Sequence, residues 1–156
     1  MEPRKTVVPG PMGLLELVGV DLGVSAPRVV SQAEVDAFAD LTGDHQWIHV
    51  DVERAKDGPF GSTIVHGFFT LALVPLMFGE TLEVAESSMG VNYGLDKVRF
   101  VAPLRPQEEV RARATLVSAE LLGDGVGVHA AARVVVERVE DGQLCCVADI
   151  VFRYYV

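Results

Sequence analysis

Apolar and polar residues alternate along the second half of the chain. Alternation with a period of two is typical of antiparallel strands that face water on one side. It predicts strands over residues 110–116, 128–137 and 148–155. A further strand is predicted over residues 90–101, with Gly94 as a candidate bulge. The stretches Gly123-Asp124-Gly125 and Asp141-Gly142 are typical of the hairpin turns that would join such strands.

The first half of the chain shows a helical pattern that begins at Ser31. Ser31 and Glu34 form an S-x-x-E capping box, in which each side chain accepts a hydrogen bond from the other residue's backbone N–H. An apolar stripe follows, and Gly43 supplies a typical helix stop. The sequence therefore predicts a helix over residues 31–43, and a shorter helical turn over residues 51–56.

The most apolar segment runs from residue 67 to residue 77. Its length favours a helix over a single buried strand, and a helix that is apolar all round is expected to be buried all round. Pro75 is expected to kink this helix or to end it early. A long antiparallel sheet wrapped around the helix would bury it, which predicts an α+β, hot-dog fold. Residues 1–156 are expected to form one domain, with residues 1–16 as an irregular N-terminal arm.

Composition narrows the possible functions. The net charge is -9, whereas nucleic-acid-binding proteins typically carry clustered basic residues. A chain this acidic is also disfavoured for docking on anionic lipid. The longest uncharged run, residues 64–79, is shorter than the roughly 20 residues that a membrane span needs. No signal-peptide pattern is present, so a cytoplasmic location is expected. Cys145 and Cys146 would point to opposite faces of a strand, which places them poorly for a mutual disulfide.

Two short segments contain the candidate chemistry. Asp44 follows the helix stop, and His49 comes five residues later. A carboxylate and an imidazole at close range can hold one water molecule, one group removing a proton while the other delivers one. The second segment, TIVHG, ends in Gly67 at the start of the apolar helix, where a backbone N–H has no partner within the helix. Such an N–H can stabilise the oxyanion of a thioester enolate.

These segments carry a resemblance to a known family. The run FADLTGDHQWIHVDVERA, together with PFGSTIVHGFFTLAL and NYGLDKVRF, resembles the MaoC-like, (R)-specific enoyl-CoA hydratases. The resemblance implies that Asp44 and His49 are the catalytic pair and that the main-chain N–H of Gly67 forms the oxyanion hole. The similarity covers residues 30–105 well, and the later strands fit only in pattern.

The resemblance also suggests supporting residues. Gln46 stands where the family often has Asn, and its amide could keep a hydrogen bond to the catalytic residues. Ala72 stands where some members have Ser. His66 either orients the helix start or makes a hydrogen bond in the core. Residues that are apolar or near the site are expected to shape the substrate pocket: Trp47, Phe68, Phe69, Leu71 and Asn92.

A metal site is the alternative interpretation of the first segment. His45 and His49 are four residues apart beside Asp44, and the string HQWIH mimics a zincin helix. Gln46 occupies the position of the general-base glutamate, and Gly43 disfavours a continuous helix. We therefore predict no metal, and no redox cofactor because only protons move. Coenzyme A is expected only as part of the substrate.

The implied reaction is syn hydration of a trans-2-enoyl-CoA to the (R)-3-hydroxyacyl-CoA, and its reversal. Three alternatives remain: a dehydratase acting on a carrier-protein thioester, a hot-dog thioesterase, and a non-catalytic acyl-binding domain. A thioesterase usually carries an acidic residue on the central helix, and residues 67–79 contain none. A homodimer that pairs sheets edge to edge is expected, with the active site near the interface. Cationic side chains are candidates for contacting coenzyme A phosphates: Lys97, Arg99, Arg105, Arg111 and Arg113.

Overall fold

Eight strands form one sheet within residues 1–123 and 125–156, which are the residues that this computed structural model describes. The strands are β1 Arg4–Val8, β2 Asp21–Val24, β3 Arg28–Val29, β4 Leu82–Val84, β5 Met89–Phe100, β6 Glu109–Leu121, β7 Gly127–Arg138 and β8 Leu144–Tyr155. Their order across the sheet is β4-β1-β2-β6-β7-β8-β5, and β3 also pairs with β6. The pairs are antiparallel except for β1 with β4, which is parallel.

The helices of the described residues lie mostly between β3 and β4. They are a 3-10 helix Pro11–Glu16, α1 Gln32–Thr42, α2 Trp47–Val50, α3 Val52–Lys56, α4 Gly67–Ala72 and α5 Val74–Gly79. None of these helices is both long and apolar enough to cross a membrane. The first helix begins and ends as predicted, because the Ser31–Glu34 capping box is present and Gly43 caps the helix with a φ of 80°. Asp51 caps α3 by accepting a hydrogen bond from the Arg54 N–H.

The central apolar helix is broken into α4 and α5, as Pro75 predicted. Proline has no N–H to donate to the preceding turn, so the helical hydrogen-bond ladder is interrupted there. Pro75 occupies the first turn of α5, where the missing donor costs least. The two helices pack against the sheet, and their buried side chains join its apolar face. This arrangement is the predicted hot-dog architecture.

The prediction that this helix is buried on every side was wrong for the single chain. Val74 and Met77 are buried, whereas Phe68 is 71% exposed and Leu76 is 52% exposed. The sheet covers the face of the helix that carries Val74 and Met77 and leaves the face with Phe68 and Leu76 uncovered. An apolar face of the helix therefore remains open beside an open sheet edge.

The strands β6, β7 and β8 contain their predicted ranges and extend beyond them, whereas β5 begins and ends one residue earlier than predicted. Pairing of β5 with β8 changes register between Asn92 and Gly94, which confirms the bulge at that glycine. Gly142 has a φ of 71° in the turn between β7 and β8, as the Asp-Gly signal predicted. Asp124, the middle residue of the other predicted turn, lies outside the described residues. Alanines at alternate positions of β6 and β7 face the core and leave room for α5 close to the sheet: Ala112, Ala114, Ala130 and Ala132.

The N-terminal arm is not irregular, which corrects the prediction for residues 1–16. Residues Arg4–Val8 form β1, which pairs with both β2 and β4. The 3-10 helix that follows buries Leu14 completely. Short strands give a weak local signal, and this one is stabilised by partners far along the chain.

The two cysteines are buried neighbours on β8, and neither forms a disulfide. Burial raises the pKa of the Cys146 thiol to about 11 and also raises the pKa of Cys145. Since the thiolate is the reactive form, we expect neither cysteine to react with a disulfide reagent at pH 8 in the folded protein. Labelling should appear only after unfolding in denaturant. Fast labelling of the native protein would contradict this placement.

Candidate active site

A short loop between α1 and α2 carries Asp44. Gly43 adopts a left-handed conformation and turns the chain out of α1, so Asp44 lies at the surface with 54% of its side chain exposed. His49 lies on α2, and its backbone N–H donates to the carbonyl of Gln46 at 2.9 Å. His49 is only 6% exposed. The loop therefore sets an exposed carboxylate against a buried imidazole.

Asp44 and His49 face each other across a short gap. The distance from Asp44 Oδ2 to His49 Nε2 is 4.0 Å, too long for a direct hydrogen bond but short enough for one water molecule to contact both atoms. His49 Nδ1 lies 2.8 Å from the carbonyl oxygen of Ile64. A carbonyl can only accept, so Nδ1 carries the proton and the neutral ring presents a bare Nε2 to Asp44.

His66 contacts both members of this pair. Its Nε2–H donates to the backbone carbonyl of Asp44 at 2.9 Å. Its ring stacks on His49, with ring centres 3.8 Å apart and planes 21° from parallel. The residue is 2% exposed, and its Nδ1 has no hydrogen-bond partner among the described residues. His66 therefore makes a hydrogen bond from a buried position and contacts both members of the pair, and its supporting role stays a prediction.

The same three residues form a group with metal-ligand chemistry. Asp44, His49 and His66 each offer a ligand atom, all within 4.8 Å of one another. A metal ion lies close to the plane of each imidazole that binds it, so two stacked rings are poorly oriented to share one ion. His45 is not part of the group, because its Nε2 contacts Asp40 at 2.8 Å on the surface, a hydrogen bond that raises the pKa of His45. The geometry does not suit a metal, and its absence stays a prediction.

Gly67 begins α4 directly after His66. Its N–H lies in the first turn, where no acceptor is available within the helix. A Cβ atom at this position would lie 2.7 Å from the ring of Phe100, closer than packing allows. Gly67 also lines a cavity of about 250 Å³ together with Phe100. The close approach explains why glycine is needed here, and the oxyanion role of its N–H stays a prediction.

The five residues predicted to form the substrate pocket do not line one common cavity among the described residues. Leu71 and Asn92 line a cavity of about 300 Å³ between the central helix, β5 and β8. Phe68 is exposed and contacts Phe100 edge-on. The other two lie in packing contacts, Phe69 stacked on Phe38 and Trp47 beneath the Arg54 guanidinium.

The hydrogen bond predicted from the Gln46 side-chain amide to the catalytic residues is absent from the described part of the chain. The Gln46 side chain is exposed and makes no hydrogen bond to another described residue, while its backbone N–H lies 3.4 Å from Asp44 Oδ1. Sequence patterns gave no role to the Gln32–Thr63 pair, in which the Thr63 hydroxyl donates to the Gln32 amide oxygen and the Gln32 amide nitrogen donates to the backbone carbonyl of His49. No sequence signal links them, because the contact spans 31 residues.

Sequence comparisons show that the chain is similar to proteins of one known family. The model of the MaoC like domain matches residues 16–138. The 3-hydroxyacyl-thioester dehydratase Z of Mycobacterium tuberculosis is 47% identical over 141 residues, covering 90% of this chain and 93% of that protein.

Solved structures show the same fold at lower identity. The MaoC-like dehydratase from Rhodospirillum rubrum aligns with a TM-score of 0.72 at 20% identity, covering 88% of this chain and 92% of that one. The (R)-hydratase from A. caviae aligns with a TM-score of 0.66 at 24% identity, covering 86% of this chain and 94% of that one.

The fold and the site together define a hot-dog protein with an Asp-His pair beside the start of its central helix. The chain belongs to the MaoC-like dehydratase family, as the match of the family model and the 47% identity to dehydratase Z show. The family predicted from the loop and helix-start motifs is thereby confirmed.

Proposed function

We propose that the protein catalyses the reversible hydration of a trans-2-enoyl-CoA to the (R)-3-hydroxyacyl-CoA. The observation that supports this most directly is the 4.0 Å gap between Asp44 Oδ2 and His49 Nε2. The gap suits one water molecule, the second substrate of a hydratase. Membership of a family that includes a 3-hydroxyacyl-thioester dehydratase supports the same reaction class.

The chemistry moves protons and forms one C–O bond. The water oxygen adds to C3 of the enoyl thioester, one of its protons goes to the pair, and a proton from the pair goes to C2. Because His49 Nδ1–H is committed to the Ile64 carbonyl, Nε2 is the nitrogen that exchanges the proton. Between these steps the thioester carbonyl becomes an enolate, whose oxyanion the Gly67 N–H would stabilise. His66 would hold Asp44 and His49 in a fixed relative position, because it contacts both residues.

Coenzyme A is the proposed carrier, with an acyl-carrier protein as the alternative. Three of the five candidate cations are held by carboxylates, because Arg105 pairs with Glu108 and both Arg111 and Arg113 pair with Glu137. The two on β5, Lys97 and Arg99, form no salt bridge within the described residues and are the better candidates for phosphate contacts. Turnover of the same enoyl group should be faster on coenzyme A than on a carrier protein. Faster turnover on the carrier protein would instead identify an acyl-carrier protein as the carrier of the acyl group.

We also propose that the protein is a homodimer paired through β5. This strand lies at the sheet edge, and all its residues but Val98 are exposed. Exposed apolar side chains cover β5 and the adjoining face of the central helix: Phe68, Leu76, Met89, Val91, Tyr93, Leu95 and Phe100. An open apolar edge strand is a hazard unless it is covered. A second copy can cover it by symmetric edge-to-edge pairing, since a two-fold axis brings the same strand against itself.

The dimer can be tested by charge insertion on this surface. We expect wild type to show twice the mass of the chain in light scattering, and Phe68→Asp/Leu76→Asp to show the mass of one chain. Leu41→Asp is the matched control, because Leu41 is 84% exposed on α1 and its substitution should leave the dimer intact. A wild-type monomer, or a double variant that remains dimeric, would refute this interface.

A further inference from the structure

The amide of Gln32 occupies a central position among the segments that build the site. Gln32 is the first residue of α1. Its Nε2 donates to the backbone carbonyl of His49 at 2.7 Å and to Asp36 Oδ1 at 2.9 Å. Its Oε1 accepts from the hydroxyl of Thr63 at 2.6 Å. Both N–H groups of the amide and its oxygen are therefore engaged.

These partners fix the orientation of the amide. The carbonyl of His49 and the carboxylate of Asp36 can only accept hydrogen bonds, so both must face the NH₂ group. A flipped amide would place its oxygen against two other oxygens. Thr63, which is 5% exposed, supplies the donor that the amide oxygen needs. The link from α1 to Thr63 thus has one satisfactory arrangement.

The link holds both ends of His49. Gln32 binds the main-chain carbonyl of His49, while the ring Nδ1–H of His49 binds the carbonyl of Ile64. Ile64 follows Thr63 directly, and its N–H donates to the carbonyl of Ile48 at 2.9 Å. The Thr63–Ile64 segment, whose Ile64 carbonyl accepts the hydrogen bond from the His49 ring, is therefore also linked to the main chain of His49. The link runs from the Thr63 hydroxyl to the Gln32 amide and from that amide to the His49 carbonyl.

We propose that Gln32, acting with Thr63, is a positioning residue that sets the orientation of the His49 ring toward Asp44. This inference deepens the proposed hydratase function and rests on it. Neither side chain contacts Asp44 Oδ2 or His49 Nε2, so their effect passes through His49. Small displacements of a catalytic group from its productive geometry can lower the rate about 100-fold.

Two substitutions of Gln32 separate size from hydrogen bonding. Gln32→Met keeps the length of the side chain and removes all three hydrogen bonds. Gln32→Glu keeps an acceptor for Thr63 but sets a carboxylate oxygen against the His49 carbonyl. We expect both to lower kcat by about 10- to 100-fold with KM changed by less than about 2-fold, because ring orientation affects the chemical step more than binding.

Substitutions of Thr63 test the other end of the link. Thr63→Val removes the hydroxyl at nearly constant volume and should lower kcat in the same direction, while Thr63→Ser should restore it. Thr81→Val is the matched control, because Thr81 is fully buried and its hydroxyl bonds only to Phe78, outside the site. If Thr63 had a purely structural role, Thr63→Val and Thr81→Val would both lower the melting temperature and both would leave kcat unchanged.

A readout that needs no turnover separates this inference from the proposed function. Imidazole ¹⁵N NMR of His49 should show the Nδ1–H form in wild type and a mixture of tautomers in Gln32→Met and Thr63→Val. An inactive wild type with this NMR pattern would overturn the hydratase and keep the positioning role. Folded Gln32→Met and Thr63→Val proteins with wild-type kcat and the wild-type tautomer would overturn the positioning role. If Gln32→Met does not fold, Thr63→Val decides alone.

Discussion

Asp44→Asn and His49→Gln are each expected to lower kcat/KM for an enoyl thioester by about 100- to 10,000-fold, the usual contribution of a general acid or base. Each substitution keeps the approximate size of the side chain and removes its capacity to exchange a proton. Because the two groups act on the same water molecule, the double variant should be little worse than the more damaged single variant. Steady-state kinetics from the loss of enoyl absorbance measure all three.

Matched controls lie close to the pair. His45→Gln changes the neighbouring histidine, which contacts Asp40 at the surface, and should keep wild-type activity. Asp57→Asn changes an exposed aspartate at the end of α3 and should also be neutral. Single variants of Asp44 and His49 that retain more than about a tenth of wild-type activity would fall outside the range for a general acid or base and exclude this pair as the proton-transfer groups.

Gly67→Ala should be the next most damaging single change. The added Cβ would lie 2.7 Å from the Phe100 ring, and overpacking of this kind costs about 1–3 kcal/mol of stability. A methyl group beside the N–H would also obstruct a thioester oxygen that must approach it. We expect a lower melting temperature together with a loss in kcat of about 100-fold, the loss typical for one oxyanion donor.

The double variant Gly67→Ala/Phe100→Ala separates the two effects. Phe100→Ala removes the ring that the added Cβ would meet and should relieve the clash, and the Phe100→Ala single variant measures what the truncation itself costs, including any loss of the dimer. Stability should recover while kcat stays low, if the N–H of Gly67 forms the oxyanion hole. Recovery of both to wild-type values would mean that Gly67 is needed only for packing against Phe100.

Local signals account for the parts of the fold that the sequence predicted well. The α1 capping box and the Gly43 stop are formed by residues a few positions apart, so their signature is contained in one short stretch. The long strands are predictable because apolar and polar residues alternate over many positions. Gly94 indicates a bulge because glycine supplies no side chain to the pleated sheet. Pro75 broke the central helix for an equally local reason.

Non-local contacts account for what the sequence did not reveal. The first strand, β1, is stabilised by pairing with β4, where Thr6 lies opposite Leu82. The open face of the central helix depends on where the sheet ends, which no single segment encodes.

The candidate site likewise contains some features that follow from local sequence and others that depend on contacts between distant segments. Asp44 and His49 are close in sequence, and the motif around them indicated their pairing. Stacking of His66 on His49 depends on how the start of α4 meets α2, whereas the bond from Gln32 to the His49 carbonyl depends on how α1 meets α2. Contacts that depend on tertiary packing leave no periodic or spacing signal, so the sequence could name His66 as a supporting residue but could reveal neither its partners nor the link through Gln32.

The most direct test of the hydratase proposal is the loss of enoyl absorbance when the purified protein is mixed with crotonyl-CoA, followed by chiral analysis of the product. We expect rapid conversion to (R)-3-hydroxybutyryl-CoA, with no added metal or redox cofactor and no release of free thiol. Release of free thiol would instead indicate a thioesterase. A protein that binds acyl-CoA but leaves crotonyl-CoA and longer enoyl-CoAs unchanged would contradict the central claim.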